Sequence, residues 1–405
     1  MSVMTVTPLQ SLQQRQPQSC ATAAFQYCAA PSQTIAVAVR HAVNQMRLPF
    51  AVPERPYSGW ANGGDHLGII GIAATNMKRI YLDQNIWVEL AKAKLGSKDA
   101  HPRFEDAYYL AKRAVELGLA SFVLSQTHLY ETQKKQGWDS RLDIVELMAE
   151  LSKLHTIKHV TAVVPLEVDY AIQTLTGQDP TVTTVFGVGV ASLLPGLDRP
   201  PAHVDGFPWE ELGYRRSFVE TLASCGPDRA WDLITLAGAR PGTDPDSDQM
   251  MARLRAADNQ FATGQAELAS VIRDLHLSGR DLEVGLAQYT LLEIRHELIR
   301  AALACGTSAD LIVEYITGHA MALLQSLPSR WTVHAMYLQH AQPQKRWKPN
   351  DLHDFTALSI AVPYCDAVAT EKHWTHMLKR RHIDETFGTV LIASPQQLVD
   401  YLAAL

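Results

Sequence analysis

From Lys78 onward, short apolar runs alternate with helical stripes. Arg79 to Asp83 and Ala120 to Ser125 are runs of the length and composition of buried strands. Helical spacing follows over Asn85 to Lys94, where Ile86, Trp87, Leu90 and Ala91 share a face, and again over Phe104 to Leu117, Gln126 to Lys135 and Asp139 to Leu154. Val160 to Val164 reads as a further strand. Between Leu166 and Leu327 the pattern turns almost wholly helical, with long stripes over Ser247 to Leu275, Asp281 to Ala304 and Ser308 to Leu327. Alternation then resumes, with helix over Asp351 to Val362, strand over Asp366 to Thr370 and helix over Glu371 to His382. A strand at Val390 to Ala393 and a last helix opened by Ser394 and Pro395 complete it. Strands separated by helices imply an α/β fold with a mostly parallel sheet. The pattern divides the chain into 77–165 and 329–405 as two parts of one α/β domain, with 166–328 as an all-helical insertion.

The first 76 residues differ in kind. They carry only six charges, contain no Lys, and are punctuated by Pro31, Pro49, Pro53, Pro56 and Gly63-Gly64. We read them as an irregular leader, either a flexible arm or a stretch ahead of a true start at Met77. The polar, Gln-rich opening lacks the basic and apolar regions of a secretory signal. No run of the chain matches a membrane span. Five scattered cysteines, Cys20, Cys28, Cys225, Cys305 and Cys365, form no Cys-x-x-Cys pair, which fits a reducing cytoplasm rather than a disulfide framework.

In a parallel sheet the ligand crevice lies beyond the carboxyl ends of the strands, so the polar residues where strands stop are the ones to inspect. The first strand stops at Asp83 in I-Y-L-D-Q-N-I-W, and the second at Ser125, with Glu131 following on a helix. Asn350-Asp351-Leu352-His353-Asp354 opens a later helix, with Asp351 and Asp354 on one face. Asp366 precedes and Glu371 follows the next strand. Singly, such residues are commonly helix caps. Together, carboxylates at one sheet edge repel, and a divalent cation relieves them.

Y-L-D-Q-N-I-W resembles the opening D-x-N signature of PIN-domain nucleases, and Glu131, N-D-L-H-D and D-A-V-A-T-E-K resemble that family's later acidic positions. The resemblance covers roughly Met77 to Glu150 and Asn350 to Leu405, and implies a three-layer α/β/α domain interrupted by the insertion. It also implies a metal-dependent nuclease, most simply an endoribonuclease, using Mg²⁺ or Mn²⁺ to hydrolyse phosphodiester bonds. Asp83, Glu131 and Asp354 are then the principal ligands, with Asp351, Asp366 and Glu371 as further candidates; the fourth acidic role stays open between Asp366 and Glu371. Asn85, Ser125 and Asn350 would orient ligands or water. A catalytically silent PIN-like scaffold that binds RNA, or an inhibitory or scaffold protein partner, is the alternative.

The net charge of -6 argues against a nucleic-acid partner only on average. Ser329 to His382 holds eight Lys or Arg against four acids, a local +4. Arg330, Lys345, Arg346, Lys348, Lys372, Lys379, Arg380 and Arg381, with Trp331, Trp347 and Trp374 interleaved, suit phosphates and unpaired bases, RNA more than DNA. Zinc on His373, His376 and His382 has no matching ligand spacing, and no phosphate-binding Gly-Lys-Ser/Thr loop is present.

Overall fold

The computed structural model describes residues 77–193, 213–341 and 347–405. The leader over 1–76, and Lys345 and Arg346 of the basic segment, lie outside the described residues. Strands β1 (Lys78–Leu82), β2 (Ala120–Val123), β5 (Ala367–Ala369) and β6 (Val390–Ile392) form one sheet in the order β2-β1-β5-β6, every neighbouring pair parallel. Beyond β2 a single parallel bridge, Leu124 to Thr156, attaches β3 (His155–Ile157), which pairs antiparallel with β4 (Phe186–Val188).

Side chains alternate across a strand, and here the alternation sorts the core into two layers. Ile80, Leu82, Phe122, Leu124, Ala367, Ala369 and Ile392 face one layer. That layer contains α1 (Gln84–Lys94), α2 (Pro102–Glu116), α3 (Gln126–Lys134), α4 (Trp138–Ser152), α6 (Arg216–Cys225), α7 (Pro227–Ala237) and α17 (Pro395–Ala403). Tyr81, Val123, Val368 and Leu391 face the other. There lie α5 (Val160–Leu175), α8 (Pro245–Asp274), α9 (Gly279–Glu293), α10 (Arg295–Ala304), α11 (Ala309–Gly318), α12 (Ala320–Gln325) and α13 (Pro328–Tyr337). The same layer takes α14 (Asp351–Tyr364), α15 (Lys372–Arg380) and α16 (Ile383–Phe387). Covered on both faces, the strands are nearly continuous in apolar residues, as a parallel sheet requires. The helices of 166–328 share both layers: Phe218, Leu222 and Leu233 join the first, and Phe261, Leu286 and Leu324 the second.

Three local expectations are corrected. Val160 to Val164 opens α5 instead of forming a strand, because Val160, Val163, Val164, Val168, Ala171 and Ile172 make a buried stripe of helical period that a five-residue window does not reveal. His159 caps this helix, its Nδ1 accepting from Thr161 N at 3.3 Å. The stripe over Asp281 to Ala304 breaks at Ile294 into α9 and α10, and that over Ser308 to Leu327 at His319 into α11 and α12. Among the described residues no helix is long and apolar enough to cross a membrane.

Candidate active site

The carboxyl ends of β1 and β5 lie side by side. Asp83 N donates to Ala369 O at 2.9 Å, and the two strands release their chains into α1 and α15. Asp83 and Glu371 occupy the N-cap positions of these helices, yet neither side chain makes a capping bond. An N-cap carboxylate ordinarily accepts from the helix's own amides; here each also meets a neighbouring side chain. Thr370 Oγ1 donates to Asp83 Oδ2 at 3.3 Å, and Asn85 Nδ2 to Glu371 Oε1 at 3.4 Å. Asp83 is 8% exposed. Burial first, and then Glu371, raise its carboxyl above the usual range, against the amides of Gln84 and Asn85 and the Thr370 hydroxyl.

Two further carboxylates reach this edge from neighbouring helices. Glu131 sits in the second turn of α3, after β2; burial, then Asp83 and Asp354, raise it to about 8 despite the pull of Lys134. Asp354 lies in the first turn of α14. Burial, Asp83 and Glu371 raise it to about 8, and the Trp374 indole, donating to Oδ2 at 2.9 Å, acts in the opposite direction. Asp83 thus raises both Glu131 and Asp354, Asp354 raises Glu131, and Glu371 raises Asp83 and Asp354. Asp83, Glu131 and Asp354 therefore share one electrostatic environment to which Glu371 contributes negative charge, and without a cation these three resist simultaneous ionisation.

The supporting residues are buried. His128, one turn before Glu131, is fully buried and held neutral, with burial lowering it to about 4. Its Nδ1 accepts from Ser125 N at 2.9 Å, so Nε2 carries the proton and donates to Leu82 O at 2.7 Å, next to Asp83. Ser125 and Thr127 share a 2.6 Å hydroxyl bond at the start of α3, and Thr127 meets the Tyr81 hydroxyl at 3.4 Å. On the other side, α8 brings in Asp258. Lys134 Nζ lies 2.6 Å from its Oδ2 and His353 Nε2 3.1 Å from its Oδ1, so one carboxylate fastens the helices bearing Glu131 and Asp354.

Several expected site residues lie elsewhere. Asp366 is at the opposite edge of the sheet: it precedes β5 and accepts from Lys78 Nζ and Arg79 N, both at 2.8 Å, at the start of β1. In a parallel sheet the residue before a strand and the residue after it are at opposite edges, and Glu371 takes the place at the acidic one. Asp351 accepts from Lys348 N at 2.9 Å, closing the turn before α14, and is only the last cause of the Asp354 shift. Asn350 is exposed and makes no capping bond. Arg330 is 2% exposed and paired with Glu293 at 3.4 Å, so it belongs to the core rather than to a phosphate-binding surface. Trp374 is 1% exposed, and Trp347 packs against it, Phe261 and Phe355; both rings are committed to packing instead of waiting for bases. Lys348, Lys372, Lys379, Arg380 and Arg381 are exposed.

Sequence reasoning misses His128, Thr370, Trp374, Lys134 and Asp258 as parts of this site. Only the spacing of His128, Glu131 and Lys134 along one face of α3 offers a signal. The four carboxylates supply an all-oxygen donor set, which suits Mg²⁺ or Mn²⁺ over softer metals. Among the described residues no three His, Cys, Asp or Glu side chains gather closely enough to hold one ion between them. Magnesium, which keeps several waters, is commonly bound by one or two carboxylates. Comparison with known proteins finds no matching family model, no matching curated relative and no matching solved structure.

Proposed function

We propose that this chain is a PIN-like, metal-dependent nuclease that hydrolyses phosphodiester bonds, with RNA as its principal substrate. The observation that carries the reading is the shared electrostatic environment of Asp83, Glu131 and Asp354, to which Glu371 contributes negative charge, at the carboxyl edge of a parallel sheet. The order of these residues along the chain is that of the D-x-N and later acidic positions of the family it resembles.

One or two of Asp83, Glu131 and Asp354 would hold the cation directly and the rest through its waters, with Glu371 as the fourth carboxylate. When bound, Mg²⁺ or Mn²⁺ supplies an activated water and neutralises charge on the leaving oxygen. The chain's own part is to hold negative charge in a fixed place. Thr370 orients Asp83, Asn85 orients Glu371 and Trp374 orients Asp354, each by one hydrogen bond. The amino ends of α1 and α15 point at the same edge, and their dipoles favour an anionic phosphate as well as the carboxylates.

The test is cleavage of labelled single-stranded RNA and DNA with Mg²⁺ or Mn²⁺, with EDTA and the Asp83→Asn variant as controls. Cleavage that EDTA stops and Asp83→Asn abolishes supports the reading; undiminished cleavage by Asp83→Asn sinks the site. RNA binding with no turnover under any metal would favour a silent scaffold.

A further inference from the structure

Helix α15 leaves the acidic edge at Glu371 and carries a second feature along its outer side. His373, His376, Met377, Arg380 and Arg381 recur at helical spacing, and with Leu338 and Gln339 at the end of α13 they line an open cleft of about 350 Å³. That volume is in the range of sites for nucleotide-sized ligands, ~300–1,000 Å³. His373, in the first turn of the helix that Glu371 caps, has Gln339 Oε1 2.9 Å from its Nε2, so one end of the cleft is only two residues along the chain from the acidic edge.

The cleft is basic and largely unneutralised. Among the described residues no carboxylate pairs with Arg380, Lys379 or Lys372. Arg381 meets Glu283 at 3.2 Å, but both side chains are more than a third exposed, where a pair is weak and leaves the guanidinium attractive to other anions. Behind the wall, His334 is 1% exposed and neither ring nitrogen has a hydrogen-bond partner among the described residues. Burial, and after it the charge of Arg381, keep that imidazole neutral, so the cationic character of the cleft comes from its rim.

We propose that the cleft between α13 and α15 binds backbone phosphates of a single-stranded RNA whose scissile bond lies at the acidic edge. This rests on the nuclease reading for the identity of the strand. Guanidinium groups at one end of a cleft whose other end lies on the first turn after Glu371 suit a polyanion, one of whose phosphates enters a carboxylate-lined site. An acidic protein surface would meet the cleft cations equally well, but would have no reason to continue into Asp354 and Glu371.

The experiment is fluorescence anisotropy of a labelled single-stranded RNA with the full chain in EDTA, where no cleavage occurs. Arg380→Ala with His376→Ala removes two exposed cleft residues, and circular dichroism checks the fold. Affinity is expected to fall about tenfold or more, and the slope of log K against log salt to shrink by roughly 0.7 for each phosphate no longer neutralised. Manganese binding by the same variant, followed by spin-relaxation titration, should be unchanged. Equal RNA affinity and equal slope in variant and parent would overturn the proposal. So would polyglutamate binding as tightly as RNA with the same dependence on the variant. If the cleft variant loses RNA binding while the parent cleaves nothing with any metal, the nuclease reading fails and the cleft stands. Metal-dependent cleavage by the parent, with RNA binding unaltered in the variant, leaves the nuclease reading in place and sinks the cleft.

Discussion

The indole N–H of Trp374 donates to Asp354 Oδ2 at 2.9 Å, so one of the most deeply buried side chains of the second core layer is also a site residue. Trp374→Phe keeps most of the packing and removes the donor. It is expected to cost about 1 kcal/mol of stability by urea unfolding. Losing the bond also removes what holds the Asp354 carboxyl down, so the alkaline shift should grow. The rising limb of a kcat/KM profile should therefore move to higher pH, with the loss of activity largest at neutral pH; an unmoved limb would show the bond to be irrelevant to Asp354.

The metal-free protein should become less stable as pH rises. Glu131 and Asp354 are raised to about 8 in the folded chain from ordinary values near 4, so between those limits the native state holds more protons than the unfolded state. Stability then falls with pH, and the fall ends near pH 8. Thermal melts in EDTA from pH 5 to 8.5 should show the decline, and Glu131→Gln with Asp354→Asn should flatten it. Mg²⁺ or Mn²⁺ should raise Tm more at pH 8 than at pH 5.5, because binding must release these protons.

Asp83→Asn should separate function from stability. It removes a buried charge that burial and Glu371 both disfavour, while keeping shape and the contact with Thr370. Cleavage is expected to fall by at least ~10²-fold, while Tm in EDTA stays level or rises. A large drop in Tm would mean that the carboxylate is structural.

His128 is the converse case. His128→Ala strands the Leu82 carbonyl and the Ser125 amide and leaves a void in a fully buried position. The expected cost is ~2–4 kcal/mol in urea unfolding. His128→Gln, which can keep one of the two bonds, should recover part of it.

The strand ends are readable because apolar runs stopping at Asp83 and Thr370 carry their own punctuation. The choice between Asp366 and Glu371 is also implicit in the sequence: once β1 and β5 are parallel and Asp83 follows β1, only the residue after β5 reaches the same edge. Arg330 cannot be placed that way. α13 is buried around nearly its whole circumference, and Glu293, the partner that admits a guanidinium there, is on α9. The link between α3 and α14 through Asp258 is equally hidden, since it joins residues 124 and 95 positions apart whose local patterns are those of solvated helices.

The parallel pairing of β1 with β5 sets an order of events during synthesis. Asp83 and Thr370 are 287 positions apart, and at ~5–20 residues per second the first waits about a quarter of a minute to a minute for the second to be made. Until Asp354 and then Glu371 are made, the Asp83 carboxylate stands without either beside it. The acidic edge therefore forms only after translation has passed residue 371, whatever folding the first α/β half completes before then.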